Sequence, residues 1–291
     1  MYDDSIVSGA RRAYAQRNEA FGRRHVEHLA IKSHTSDKNT KANTQYVVSY
    51  CRKLNNELEK LISTLKGDFE RKKDIGGYRD MMSMVFADEE YGSQATMPEL
   101  VDQVKTFLCA GHDTSASMLA WSYYFLSQNP HCLERLREEH DSVFGPEASP
   151  EIVAQMITAD PKLLGRLDYT LSVLKETLRF APIGDGVRYA PKGYVIRTLT
   201  GAEFDVTDTI LNIQHRGLQL RESAWGPTAL DFDPDRFMPG KPQSEAFYAF
   251  SKGNRDCIGR NMAWMEVLSA LVFIDLLGKS SVGSDSSSIQ F

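Results

Sequence analysis

The feature that most constrains this chain is a change of period at Ala181-Pro182. Upstream, apolar residues recur at spacings of three and four, which gathers side chains on one helix face. A proline steers the residue before it away from the helical region, so the pattern has a physical reason to stop there. Downstream, residues 187–213 come as short β-type runs, among them Arg188-Tyr189, Tyr194-Val195-Ile196 and Phe204-Asp205-Val206. Pro191, Gly193 and Gly201 separate them. A helix-like run returns at 260–277. The chain is therefore expected to be mainly α with a small β region of hairpins.

Within the helical part, residues 44–66 place Val47, Cys51, Leu54, Leu58, Leu61 and Leu65 on one face, and Gly67 is a plausible stop. Residues 8–34 read as a solvated helical face and 33–43 as a polar linker. Gly76-Gly77 breaks the chain, a short helix covers 78–87, and 88–96 is a polar loop. A long helix is predicted over 98–128, with Thr96 as N-cap, Glu99 as its capping-box partner and Asn129-Pro130 as its stop. Shorter helices are predicted over 131–144, 150–157 and 163–180, the first carrying Leu133, Leu136, His140 and Val143 on one side. The serine-rich segment 278–291 reads as disordered.

Composition matters mainly for what it excludes. A net charge of −5 gives no reason to expect nucleic acid as a partner. Cys51, Cys109, Cys132 and Cys257 lack C-x-x-C spacing and read as reduced intracellular thiols, neither a disulfide framework nor a zinc site. No apolar run is expected to reach the ~18 residues a membrane helix needs, because Glu266 and Asp275 interrupt the best candidate. The acidic, polar start at residues 1–4 shows no leader or anchor, and the chain reads as soluble.

Four stretches carry chemistry. In Phe250-Ser251-Lys252-Gly253-Asn254-Arg255-Asp256-Cys257-Ile258-Gly259, a lone cysteine sits beside an arginine and just ahead of a helix. Both the cation and the helix N-terminus favour negative charge on sulfur. On residue type alone, a buried free cysteine is the commoner meaning. In Ala110-Gly111-His112-Asp113-Thr114-Ser115, a glycine costs a helix interior about 1 kcal/mol and wants a reason. The absent side chain would let a flat ligand approach, or would make a packing notch. Thr114 can bond a carbonyl one turn back and open the helix, and Asp113 can relay protons. Glu176 and Arg179 share a helix face at i, i+3, which is usually a solvated pair. Asp231-Phe232-Asp233-Pro234-Asp235-Arg236-Phe237 supplies a further arginine.

Taken together and in this order, these stretches resemble the cytochrome P450 family. They match its oxygen-helix pattern [AG]-G-x-[DE]-T-[TS], its K-E-T-L-R-x-x-P stretch, its F-x-P-x-R-F meander and its F-x-x-G-x-R-x-C-x-G haem loop. The resemblance covers about residues 74–277 and is nearest in texture to fungal-type members. It implies the C-terminal haem-binding part of the P450 fold, preceded by a weakly matching helical segment at 1–73. It implies haem (iron protoporphyrin IX) with Cys257 as axial ligand to iron, a thiolate that favours O–O cleavage. Arg255 and Arg188 would meet the propionates, while Phe250, Gly253 and Gly111 would shape the cofactor site. Asp113 and Thr114 would deliver protons to dioxygen. Glu176, Arg179 and Arg236 would form a three-way scaffold network, not a catalytic one.

By the same resemblance, electrons would come from NADPH through NADPH–cytochrome P450 reductase. The substrate would be a lipophilic small molecule, plausibly in fungal secondary metabolism, and the setting intracellular; relatives are anchored to the endoplasmic reticulum. The family's N-terminal anchor and its W-x-x-x-R haem contact have no counterpart in this sequence. Two other functions stand beside this one: a shortened chain that keeps the motifs without holding haem productively, and a cysteine hydrolase using His131, His140 or His215 as base.

Overall fold

A computed structural model describes residues 38–72, 80–242 and 244–282. The expectations for 8–34, for Gly76-Gly77 and for the end of the serine-rich tail lie outside them. The described helices are α1 (Lys38–Lys72), α2 (Met81–Ala87), α3 (Tyr91–Gln94), α4 (Met97–Gln128), α5 (Pro130–Phe144), α6 (Pro150–Ala159) and α7 (Asp168–Phe180). Strands β1 (Gly186–Ala190), β2 (Val195–Arg197), β3 (Glu203–Asp205) and β4 (Thr209–Ile213) follow, then α8 (His215–Gln219), α9 (Glu222–Trp225) and α10 (Arg260–Val282). This is the mainly helical chain with a small β region that the change of period predicts. Contacts divide it into two compact units, residues 1–106 and 107–291.

In the first unit, α1 buries Leu58, Ile62 and Phe69 against Leu100, Val101, Met82 and Phe86. The buried stripe is 58, 62, 69, with Leu65 half-buried beside it, not the predicted 47, 51, 54, 58, 61, 65. Cys51, Leu54 and Leu61 are exposed, and Ile62, one residue from Leu61, takes the inward place. One position is a rotation of ~100° on a helix, enough to carry a side chain out of the core. Gly67 does not end α1, and residues 38–43 are helical, not linker. Burial of Phe69, its ring tilted against that of Phe86 at 5.8 Å, outweighs the modest cost of an interior glycine. Residues 88–96 are not all loop, because Asp88 accepts the amides of Glu90 and Tyr91 and starts the single turn of α3. At α4 half of the predicted capping box forms: the Thr96 amide donates to Glu99 Oε2 at 2.8 Å, while the Thr96 hydroxyl also donates to that carboxylate, at 2.9 Å, in place of accepting the Glu99 amide.

In the second unit, α5, α6, α7 and α10 enclose the main core with the last turns of α4. Leu136, Val153, Val173, Leu174, Leu271 and Val272 are all at most 1% exposed. The single helix predicted over 163–180 is two elements: a 3-10 segment, Pro161–Arg166, then α7, broken at Leu167. The break has a cause 30 residues away. The Glu139 carboxylate of α5 takes the amides of Tyr169 (2.6 Å) and Thr170 (2.8 Å) and the Thr170 hydroxyl (2.6 Å), so it caps α7 from outside. β1 pairs antiparallel with β4, Gly186 opposite Ile213 and Ala190 opposite Thr209, and the β2–β3 hairpin lies between them in sequence.

α10 runs to Val282, so the chain is helical past residue 278, where a disordered tail was expected to begin. By length and composition α10 is also apolar enough to cross a membrane, contrary to expectation. Its packing gives that apolarity another use. Val267, Leu268, Leu271, Val272 and Leu276 fill the core of this unit.

Asp275, with a side chain 3% exposed, pairs there with Arg137 Nε at 2.8 Å and His140 Nδ1 at 3.1 Å. His140 Nε2 meets the Thr170 hydroxyl at 3.0 Å, so one histidine joins α5, α7 and α10. Burial raises the Asp275 carboxyl, but the hydrogen bonds and charges of His140 and Arg137 outweigh it and hold it below the usual aspartate value. A depressed carboxyl contributes stability above its unfolded value of about 3.9 and loses it as pH falls through the folded value. Asp275→Asn is therefore expected to cost on the order of 3 kcal/mol at neutral pH and to flatten the acid limb of stability. Urea midpoints from pH 7 downward would check this; a parallel loss in parent and variant would contradict it.

Candidate functional site

The most deeply buried part of the site is its support. Glu176 and Arg179 lie on the last turns of α7, and both are 0% exposed. An i, i+3 pair looks the same in sequence whether solvated or buried; here it is buried. A guanidinium carries five N–H donors in a fixed fork, and Arg179 uses all five. Nε and Nη2 reach Glu176 Oε2 and Oε1 at 2.7 and 2.8 Å. Nη1 donates to the carbonyls of Gln219 (3.0 Å) and Ala229 (2.7 Å), and Nη2 also to that of Asp231 (3.1 Å). Its plane lies over Phe180 and Trp225.

Arg236, the expected third member, sits with Nε 3.6 Å from Glu176 Oε1, an ion-pair distance but not a hydrogen bond. Its Nη2 donates instead to Thr228. The position beside Glu176 that the arginine was expected to take is filled by a main-chain group, the Asp233 amide, at 2.8 Å. Pro234 turns the chain into a 3-10 segment, Pro234–Phe237, and so presents that amide.

The cysteine loop is built on this support. Phe250 packs edge-to-face on Trp264 of α10 at 4.9 Å, and the Cys257 amide donates to the Phe250 carbonyl at 2.9 Å, closing the loop on itself. Two residues inside it take left-handed backbone, Ser251 (φ 61°) and Gly253 (φ 79°). A Cβ at Gly253 would meet nothing within 4 Å, so a side chain there is opposed by the backbone alone. Gly253→Ala is expected to cost about 1–2 kcal/mol, and Gly253→Asn less, since asparagine tolerates this region. Thermal or urea denaturation separates the two; equal losses would point to a steric cause instead.

The Cys257 thiol is exposed, three residues ahead of α10, where the first helix amides have no intrahelical acceptor. A buried structural cysteine is thereby excluded. Arg255 is exposed and makes no ion pair or hydrogen bond among the described residues. Arg188, on β1, donates only to the neighbouring Val187 carbonyl. On α4, Gly111 is exposed and a Cβ there would meet nothing within 4 Å, which makes it an open face and not a packing notch.

Thr114 Oγ1 donates to the Ala110 carbonyl at 2.5 Å, the bond expected of it, yet α4 remains a regular helix through this point. Asp113 Oδ1 lies 2.9 Å from His112 Nδ1, with both side chains mostly in solvent. One residue on, Ser115 donates to Glu266 Oε2 of α10 at 3.0 Å, which fixes this turn of α4 against the helix that follows the cysteine.

The three candidate bases are committed elsewhere: His140 to Asp275 and Thr170, His131 to Cys132 at 3.4 Å, and His215 to a stack on Tyr248. None makes a hydrogen bond to Cys257 among the described residues, so a cysteine hydrolase has no support. Sequence reading missed two polar groups, the Glu139 cap and Gln219, whose side chain is 0% exposed and fully bonded. Neither lies in a local pattern. Only a glutamine amid buried neighbours could have drawn attention to the second.

The donor set fits haem. A solvent-facing thiol offers a soft iron ligand, the guanidiniums of Arg255 and Arg188 form no ion pair among the described residues and are of a type that suits propionates, and an open glycine face suits a flat ring.

Comparison with known proteins gives the same direction. The family model for cytochrome P450 matches residues 1–276. The chain is 32% identical over 170 residues to cytochrome P450 monooxygenase polC of Polytolypa hystricis, covering 57% of this chain and 30% of that one. It is 30% identical over 233 residues to self-sufficient cytochrome P450 monooxygenase CYP505E5 of Aspergillus niger, covering 78% of this chain and 21% of that one. It is 30% identical over 235 residues to the taurochenodeoxycholic 6 alpha-hydroxylase of Sus scrofa, covering 78% and 44%. The chain thus spans less than half the length of these relatives.

Proposed function

The chain belongs to the cytochrome P450 family, and from that premise we propose that it binds haem through Cys257 and oxidises a lipophilic small molecule. Dioxygen would be consumed, and electrons would come from NADPH through a reductase partner. The observation that carries this reading is the exposed Cys257 thiol at the head of α10, in a loop closed by its own amide on Phe250. Haem, when bound, supplies the oxygen-activating and C–H-oxidising chemistry.

The residues of the chain do the rest. Cys257 offers sulfur, and the positive N-terminal end of α10, three residues on, stabilises negative charge on it. Arg255 and Arg188 neutralise the two carboxylates of the group. Thr114 spends its hydroxyl proton on the Ala110 carbonyl, so its free lone pairs accept a hydrogen bond from a bound species. To donate a proton it must release that carbonyl. Asp113, in solvent beside His112, would collect protons from water for transfer to Thr114. The substrate class is read from the family and from the relatives' names, and a secondary-metabolite role from the fungal relatives.

A second reading has its own support. Phe107, Leu108, Trp121 and Tyr124 of α4 are large, apolar and 43–53% exposed, flanking the Gly111–Thr114 turn. A chain that leaves these residues in water could keep the scaffold without enclosing the group. Reconstituting the purified chain with haem and recording the ferrous–CO difference spectrum decides between them. The long-wavelength Soret band that names the family is expected. A folded helical chain without it would establish the second reading.

A further inference from the structure

Gln219 ends α8, and its side chain spans two elements that carry the site. Its Nε2 donates to the carbonyls of Leu178 (2.9 Å) and Arg179 (3.2 Å), in the last turn of α7, where helix carbonyls lack intrahelical partners. Its Oε1 accepts the Tyr248 amide at 2.7 Å. Both amide hydrogens and the oxygen are used, at a site with no access to water. The Tyr248 carbonyl then accepts the Ser251 amide (2.8 Å), and the Phe250 carbonyl accepts the Cys257 amide (2.9 Å). The Gln219 main chain is itself fixed, since its carbonyl takes Arg179 Nη1. A continuous path of hydrogen bonds, buried from Glu176 through Arg179 to Gln219 and part-buried at Tyr248, thus runs to the loop that presents Cys257.

We propose that Gln219 is the positioning residue of the cysteine ligand, holding the start of its loop to the buried Glu176–Arg179 pair. The proposal rests on the haem–thiolate reading above. A residue with only donors or only acceptors cannot replace it. Methionine matches its length but leaves the Tyr248 amide and two carbonyls unpaired, while glutamate keeps the acceptor and sets a second oxygen against those carbonyls.

The test uses the whole chain with Gln219→Met, Gln219→Glu and a core control, Val173→Ala, chosen to lose stability by a cavity alone. In the haem-free protein, amide exchange at Tyr248, Ser251 and Cys257 is expected to quicken about tenfold in Gln219→Met, while Val267 and Leu271 keep their protection. After haem loading, Gln219→Met is expected to lose a large part of the long-wavelength Soret band at an unchanged total haem content. Val173→Ala should keep it, and Gln219→Glu should keep more than the methionine variant. Unchanged exchange at Tyr248 would overturn the proposal. So would faster exchange with an intact band, or equal band loss in Val173→Ala. Absence of the band in the parent chain would instead overturn the haem reading on which the proposal stands.

Discussion

Replacing Cys257 by alanine is expected to abolish the long-wavelength Soret band of the ferrous–CO complex while leaving the fold in place. The two halves of this expectation rest on separate observations. The band requires sulfur on iron, and Cys257 is the one exposed cysteine in the haem loop; Cys51 and Cys109 lie on α1 and α4 and Cys132 is buried in α5. The fold should tolerate the change because the loop is held by the main-chain amide of residue 257 and by the Phe250 ring, neither of which depends on the thiol. The sulfur is exposed, so its removal leaves no cavity. Circular dichroism and the thermal midpoint should match the parent. Retention of the band in Cys257→Ala would remove Cys257 as ligand. Cys257→Ser, which offers a hard oxygen in place of sulfur, should also lose the band.

Helix positions were legible in the sequence wherever a proline or a cap fixed them locally. Thr96, Asn129-Pro130 and Ala181-Pro182 mark their boundaries to within a residue or two, because caps and prolines act on their nearest neighbours. The break at Leu167 was not legible, since its cause is a carboxylate 30 residues upstream. The buried face of α1 went wrong by one position because leucine and isoleucine are equally apolar, and only the partners Leu100 and Val101 decide between Leu61 and Ile62. The site divides in the same way. The cysteine loop and the Gly111–Thr114 turn are contiguous patterns and could be read directly. Gln219 could not, because its three partners lie 29 to 41 residues away. Arg236 was legible as a neighbour of Glu176, but a main-chain amide, which no motif encodes, takes the hydrogen bond.

The buried pair itself gives the other large effect. Glu176→Ala is expected to cost about 3–5 kcal/mol, because it leaves a guanidinium uncompensated in the core. Against a total stability of about 5–15 kcal/mol, that is enough to populate unfolded chains near room temperature. The more telling experiment removes both partners. Where a buried ion pair is only an ion pair, replacing both members by apolar residues is often neutral or stabilising. Here Glu176→Met with Arg179→Met should not recover. Three of the five Arg179 donors go to the carbonyls of Gln219, Ala229 and Asp231, and Glu176 also accepts the Asp233 amide. The double variant orphans all four main-chain groups, each costing about 1–3 kcal/mol when buried. A urea midpoint at or below that of Glu176→Ala is the expected result. Recovery toward the parent would show that charge pairing alone is what the site contributes. Failure to recover would show that Arg179 serves first as an anchor for three carbonyls, with Glu176 present to make a buried guanidinium tolerable.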